Sequence, residues 1–545
     1  MSFKHNAIQQ TGLLDNFNRL SERAQKAITE SWPGKFAEIV FPAINEERFA
    51  VLYSDNRFSR PNTPVNIIIG ALILKEHMQL SDDEVVNSLD CDVRFQYALH
   101  TSHLDTQPLS DRSLSRFRER VYKYDLAHNT DLLGEEMKSI TKVFMDYIAL
   151  VPNLKRMDSL MVASNCKSMS RLEIIYKTIQ NMVTLLNDNH RKDLIPAELA
   201  HYLEKDDLNK VIYYAKSEET DSRLEKVVAE LESLNRKLDT NEWKTYSQYI
   251  LLQRVINEQT TLTDQDKLRP KTNDEIKTDS MQNPSDPDAT YRLKAGKSHK
   301  GYVANVVEAI GKDGDSLIVD LNYNKNVHSD SEFTKEYIES RPDNAEPEIL
   351  ITDGAYGGEE NAKLAEEKNV KLIVTALVGK QVDKHLADFE MDEKGETVTK
   401  CPMGHAPQKC TYYPKTESCR ALFAVNTCGQ CPHKDKCHAK KQKENYVVRI
   451  SKKMIERANY SKQLGTEEMK KFTKQRNAIE GIPSVLRRKF HIDHIPVRGF
   501  LKSRFWVQLK VMAYNLQKLL LSFTRQRESF PQVHRDNYAQ NVVFV

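Results

Sequence analysis

The stretch LKRMDSLMVASN, residues 154–165, sets Leu154 and Met157 around two cations and then meets an acid, Asp158, where a strand is expected to end, with Ser159 behind it. Far along the chain PEILITDGAYGG, residues 347–358, repeats the pattern, and a run of Ile and Leu ends on Asp353. Short apolar runs bounded by turn residues read as buried strands. The C-terminal end of such a strand is where open α/β sheets gather their ligands. Strand ends are also rigid, which suits side chains that must be held within fractions of an ångström.

The surroundings of the second stretch alternate. GYVANVVEAI (301–310) and DSLIVDLNYN (315–324) flank GKDG and predict a hairpin. A helix is expected near EFTKEYIES (332–340), then the strand ending on Asp353, a helix through EENAKLAEEKN (359–369), and a strand in VKLIVTALV (370–378). That order argues a mixed α/β core. Residues 1–150 read as helices instead. TPVNIIIGALILKEHMQL (63–80) is apolar at helical spacing, and Ser81 to Glu84 has the form of a capping box. In SDRSLSRFRERVYKYD (110–125), Leu114, Phe117, Val121 and Tyr124 share one face, with Arg112, Arg116 and Lys123 opposite. A helix buried on one side and basic on the other can lie against phosphates, although many such faces are merely solvated.

The chain divides on these patterns into seven stretches: an all-α N-terminal unit (1–150), the first core strand (151–166), and a helical insertion with a polar linker (167–290). The core resumes at 291–379, followed by a cysteine-rich insertion (380–462), a helix bearing Glu480 with basic closing helices (463–525), and a tail (526–545).

With 29% charged and 39% hydrophobic residues in 545, the composition excludes a disordered chain and implies several domains. VNIIIGALIL (65–74) is the longest apolar run and falls well short of the roughly 18 residues that span a bilayer. No secretion signal opens the chain, so the expected location is the cytoplasm, without membrane attachment. The net charge of +3 hides a skew: from Val485 to Arg527 there are ten Lys or Arg and one acid, Asp493. That imbalance suggests a polyanion partner. Within it, Trp506 and Tyr514 could stack on a base, but their apolar neighbours favour core positions.

A third acid, Glu480, lies in KQRNAIEGIPSVLRRKF (474–490). Arg476 is one helical turn before it and Arg487 two turns after, so the three can share a face unless Pro483 bends or restarts the helix. Three carboxylates brought together repel unless cations neutralise them, and Mg²⁺ is the hard, oxygen-seeking ion for that role. Two such ions, about 3.5–4 Å apart, activate a nucleophile and stabilise the leaving oxygen of a phosphodiester.

Six of the eight cysteines fall between Cys401 and Cys437. Cys428-x2-Cys431-x5-Cys437, with Cys401 upstream, has the spacing of a structural zinc site, and His405, Cys410, Cys419 and His438 are alternatives within the same segment.

Taken together, strand–Asp, strand–Asp–Gly and Arg-x3-Glu-x6-basic resemble the DDE transposases of bacterial insertion sequences, and more narrowly the group numbered eleven eighty-two. RFSRPNTPVNIIIGALILKEHMQLSDDEVVNSL with LSDRSLSRFRERV, SDPDATYRLKAGKSHKGYVANVVEA, and RGFLKSRFWVQLKVMAYNLQKLL are similar to that group's N-terminal, second-strand and closing segments. The resemblance implies an RNase H-like core with Asp158, Asp353 and Glu480 as catalytic ligands of two Mg²⁺ ions, with Mn²⁺ as a substitute. It implies cleavage at terminal inverted repeats and strand transfer into target DNA, a homodimer, and a nucleoid-associated bacterial protein. Double-stranded DNA would be met by Arg476, Arg487, Arg488, Lys489, Arg112, Arg116, Lys123, Lys502 and Arg504. Two positions depart from the pattern: Thr473, beside Phe472, stands where Tyr is frequent, and Arg487 replaces the usual Lys. The rival readings are a hydrolytic nuclease on the same core and a domesticated DNA-binding protein.

Overall fold

The computed structural model of the chain describes residues 1–6, 15–56, 58–104, 106–214, 219–238, 240–294, 296–311, 314–379 and 381–529. Most of the expected tail, 530–545, lies outside the described residues.

A six-stranded mixed sheet organises the molecule. Its strands are β1 (Leu154–Ala163), β2 (Thr290–Lys294), β3 (Lys297–Ile310), β4 (Ser316–Lys325), β5 (Glu348–Thr352) and β6 (Val370–Val374). β3 lies antiparallel to β1, β2 and β4, whereas β1, β5 and β6 run parallel. The expected hairpin and strand–helix alternation are therefore present. Correcting the expectation from sequence, β1 does not end on Asp158: it continues five residues further, because β3 offers a partner from Lys155↔Ala309 to Ala163↔Gly301. What ends at that point is the parallel pairing with β5, which covers only Leu154 to Arg156.

The helices that matter are α1 (Val65–Met78), α2 (Asp82–Cys91), α3 (Asp111–His128), α4 (Leu132–Tyr147), α5 (Arg171–Asp188), α6 (Thr220–Lys237), α7 (Ser247–Gln259), α8 (Asp330–Glu339), α9 (Glu359–Glu367), α10 (Lys452–Gln463), α11 (Glu467–Asn477), α12 (Gly481–Arg488) and α13 (Phe500–Ser529). The Ser81–Glu84 capping box forms in full at the start of α2. On α3, Leu114, Phe117 and Val121 are buried as their spacing requires.

Side chains alternate along β1. Met157 and Met161 pack with Val303, Val307 and helices α8 and α9 on one face. On the other face Leu160 and Val162 join a single large core built from the N-terminal helices, α12 and α13. Trp506 and Tyr514 belong to that core. Charged groups tie α13 into it as well: Lys510 Nζ lies 2.8 Å from Glu76 Oε2, and Lys75 sits 4.1 Å above the Trp506 ring. The helical insertion has its own core from α5, α6 and α7. The cysteine-rich segment forms a separate four-stranded antiparallel sheet from β7 (Lys409–Tyr413), β8 (Ser418–Ala424), β9 (Lys440–Lys441) and β10 (Asn445–Ile450). No helix among the described residues is long and apolar enough to cross a membrane.

Candidate functional site

Register brings the first two acids together. Arg156 pairs with Ile351 across β1 and β5, so Asp158 and Asp353 each lie two residues past the last parallel pair. Neighbouring strands are about 4.8 Å apart, and the two acids therefore flank the point where β1 and β5 part. Asp353 caps the 3-10 turn Gly354–Tyr356 by accepting a 2.6 Å hydrogen bond from the Gly354 N–H. Gly354 has to be glycine here, because a Cβ would stand 2.7 Å from the Ala376 carbonyl oxygen. Tyr356 closes the turn by burying its ring and donating from its hydroxyl to Asn305 Oδ1 at 3.1 Å.

The third acid arrives on a broken helix. α11 ends at Asn477, a 3-10 turn covers Ala478–Glu480, and α12 restarts at Gly481 with Pro483 in its first turn. Proline lacks the N–H that would continue the α pattern, and its ring is tolerated only near a helix start. The restart puts the change of axis at Glu480. Ile479 of the 3-10 turn and Ile482 and Leu486 of α12 anchor the restart in the large core.

Arg476 is where the acids meet. Its Nη2 lies 3.5 Å from Asp158 Oδ2 and 3.6 Å from Asp353 Oδ2, and its Nη1 lies 3.2 Å from Glu480 Oε1. One guanidinium thus touches three carboxylates from β1, the β5 turn and the 3-10 turn. Burial pushes the Asp158 carboxyl above its ordinary range, against the pull of Arg476, the Ser159 N–H and Lys294; Asp353 pushes it further up. The three carboxylates are hard oxygen donors, the right chemistry for a divalent ion. As placed, they surround a guanidinium, and among the described residues no three His, Cys, Asp or Glu side chains are close enough to hold a metal.

The cations expected from sequence divide. Arg112, Arg116 and Lys123 are exposed on α3, as are Arg487, Arg488 and Lys489 at the end of α12 and Lys502 on α13. Arg487 leans toward the sheet, with Nε 3.0 Å from Asp493 Oδ2 and Nη2 3.3 Å from the Met161 carbonyl. Arg504, also expected to meet phosphate, is placed differently from these exposed cations. It turns inward, donating to the Thr130 carbonyl at 3.0 Å with Asp125 and Asp131 within 3.6 Å, and so helps hold α13 to the α3–α4 corner. Sequence reasoning overlooked Lys294. Its Nζ lies 3.3 Å from Ser159 Oγ, close enough to lower the Asp158 carboxyl, and it adds with Arg487 and Lys297 to the burial that depresses the His299 ring. The signal was present in TYRLKAGKSHKGY (290–302), a segment with three Lys and one Arg.

The cysteine segment differs from expectation in part. Cys410 and Cys419 form a disulfide between β7 and β8, which removes both from any metal set. Cys401, Cys428, Cys431 and Cys437 carry free thiols. Burial pushes Cys437 up to about 12, helped by Cys431, Cys401 and Cys428, so the four lie within electrostatic reach of one another without closing on a point.

Three carboxylates gathered beside exposed cations suit an enzyme that works on a polyanion. Residues 400–520 match the family described as "Transposase DDE domain" and residues 26–120 match "Transposase domain (DUF772)". The two matches indicate a DDE transposase of an insertion sequence, an enzyme that acts on DNA to cut it and transfer strands. Neither a curated protein nor a solved structure matches it. The first match spans Arg476 and Glu480; Asp158 and Asp353 lie outside both matched segments.

Proposed function

We propose that Asp158, Asp353 and Glu480 are the catalytic carboxylates of an RNase H-like core that cleaves the terminal inverted repeats of its element and joins the freed ends to target DNA. The observation that carries this reading is the convergence of three acids, from distant parts of the chain, on the one guanidinium of Arg476. Two Mg²⁺ ions, with Mn²⁺ as a substitute, would be held by the three carboxylates and supply nucleophile activation and leaving-group stabilisation.

The chain's own residues do the rest. Arg476 neutralises the acids and, by turning outward, becomes a planar fork for a phosphate when other cations take over that charge. Lys294 and Arg487 stand beside β1 on the approach of a backbone toward Asp158, and the exposed Arg488 and Lys489 add to the positive charge at the end of α12. Arg112, Arg116 and Lys123 on α3 and Lys502 on α13 extend the basic surface. Hydrolysis and strand transfer are both in-line displacements at phosphorus, so one set of acids serves both. Two element ends must be held at once, and a homodimer is the simplest assembly that does so. The membership of the group numbered eleven eighty-two rests on the quoted motifs. Structural zinc on Cys401, Cys428, Cys431 and Cys437 rests on their spacing in the sequence; metal analysis of purified protein tests it, with one zinc per chain expected and none overturning it.

The decisive experiment is Mg²⁺-dependent processing of linear DNA carrying the element's own ends. Cleaved and joined products are expected. Cleavage without joining supports the nuclease reading, and binding without either supports a domesticated DNA-binding protein.

A further inference from the structure

We infer that Arg156, paired with Glu308, is a positioning residue that fixes the end of the helix carrying Arg476 and Glu480. The inference rests on the reading of the three acids given above. Arg156 lies two residues before Asp158 on β1 and, like it, faces the side of the sheet on which α11 ends. Directly across the β1–β3 ladder stands Glu308. Arg156 Nε and Nη2 both reach Glu308 Oε2, at 2.6 and 2.5 Å. The remaining arm, Nη1, donates to the backbone carbonyl of Gln475 at 2.6 Å. Gln475 immediately precedes Arg476.

Both charged residues are buried, and Glu308 Oε1 has no hydrogen-bond partner among the described residues. A buried ion pair of this kind returns no more stability than apolar residues of the same volume would. It therefore calls for a task that an apolar pair could not perform. The third bond is that task. The last carbonyls of a helix lack intrahelical partners and carry the negative end of its dipole, so a cation fixed in the sheet captures them. The captured carbonyl lies where the α pattern of α11 gives way to the 3-10 turn Ala478–Glu480. Fixing it sets both the azimuth of Arg476 and the place of Glu480 relative to β1. A guanidinium has the donors to serve Glu308 and Gln475 together; an ammonium is a single point charge.

The test uses the full chain in three forms: Arg156→Lys, the apolar pair Arg156→Met/Glu308→Leu, and Asp158→Asn as a benchmark. Each is measured for thermal unfolding, for Mn²⁺ binding by calorimetry without DNA, and for cleavage of end DNA. Groups that orient metal ligands cost about 10–100-fold in affinity or activity when removed. The apolar pair is expected to melt close to wild type yet to bind Mn²⁺ and cleave at least tenfold less well. Arg156→Lys should show the same tenfold losses, and it provides the test if the apolar pair does not fold. Wild-type Mn²⁺ binding and cleavage in whichever of these variants folds overturns the inference. Cleavage by Asp158→Asn at the wild-type rate would instead overturn the reading of the acids, which keeps the two failures apart.

Discussion

Neutralising the three acids one at a time separates catalysis from architecture, because their surroundings differ while their proposed role is shared. The Asp158 side chain is 15% exposed, Asp353 is 44% exposed and Glu480 is 68% exposed. Burial and the neighbouring Asp353 disfavour the ionised Asp158 even with Arg476 beside it. Asp158→Asn removes that penalty and still accepts the Ser159 N–H, so it is expected to stabilise the chain by about 1 kcal/mol, the usual gain when a functional charge is removed. Asp353→Asn keeps the cap on the Gly354–Tyr356 turn, and Glu480→Gln changes a solvated group, so each should leave melting within about 0.5 kcal/mol of wild type. All three should lose cleavage by at least a thousandfold, about 4 kcal/mol of barrier. Differential scanning fluorimetry alongside cleavage of labelled end DNA reads both quantities. A destabilised Asp158→Asn that still cuts DNA would refute the reasoning, since it would make that carboxylate a structural pin and not a ligand.

Four further outcomes follow from the same geometry. Arg476→Gln leaves three acids without their shared cation; it should lower melting in metal-free buffer and show a larger stabilisation by added Mg²⁺ than wild type, read by thermal shift. Lys294→Ala should weaken binding of any duplex and reduce the slope of log affinity against log salt by about 1, measured by fluorescence anisotropy. His77, held at about 4 by burial and by Lys489, stays neutral in the fold but takes up a proton near 6.5 once unfolded. Stability should therefore fall as pH drops from 6.5 towards 4, by up to about 3 kcal/mol, and a His77→Gln variant should flatten that part of the urea-denaturation profile. Asn515 joins α13 to β4 and α4 through the Ile318 N–H and carbonyl at 2.9 and 2.8 Å and Thr141 Oγ1 at 3.0 Å. Asn515→Leu strands those buried groups and should cost about 3 kcal/mol in urea denaturation.

Short-range patterns in the sequence were enough to locate β1, β3, β4, β5 and β6 and helices α8 and α9, though not β2 or the end of β1, together with the Ser81–Glu84 cap, the buried stripe of α3 and the Arg476–Glu480 spacing of one turn. Each depends on periodicity or on neighbours within a few residues, which the chain carries locally. Only the tertiary structure decided that β1 runs on past Asp158, since its extension depends on β3, far along the chain. The same is true of Arg504, drawn inward by Asp125 and Asp131, of the Cys410–Cys419 pairing, and of the core shared by the N-terminal helices, the sheet and α13. Which partner a charge or a strand edge finds is set by packing between distant segments, and that packing is what turned Arg156 and Lys294 from unremarked cations into neighbours of the three acids.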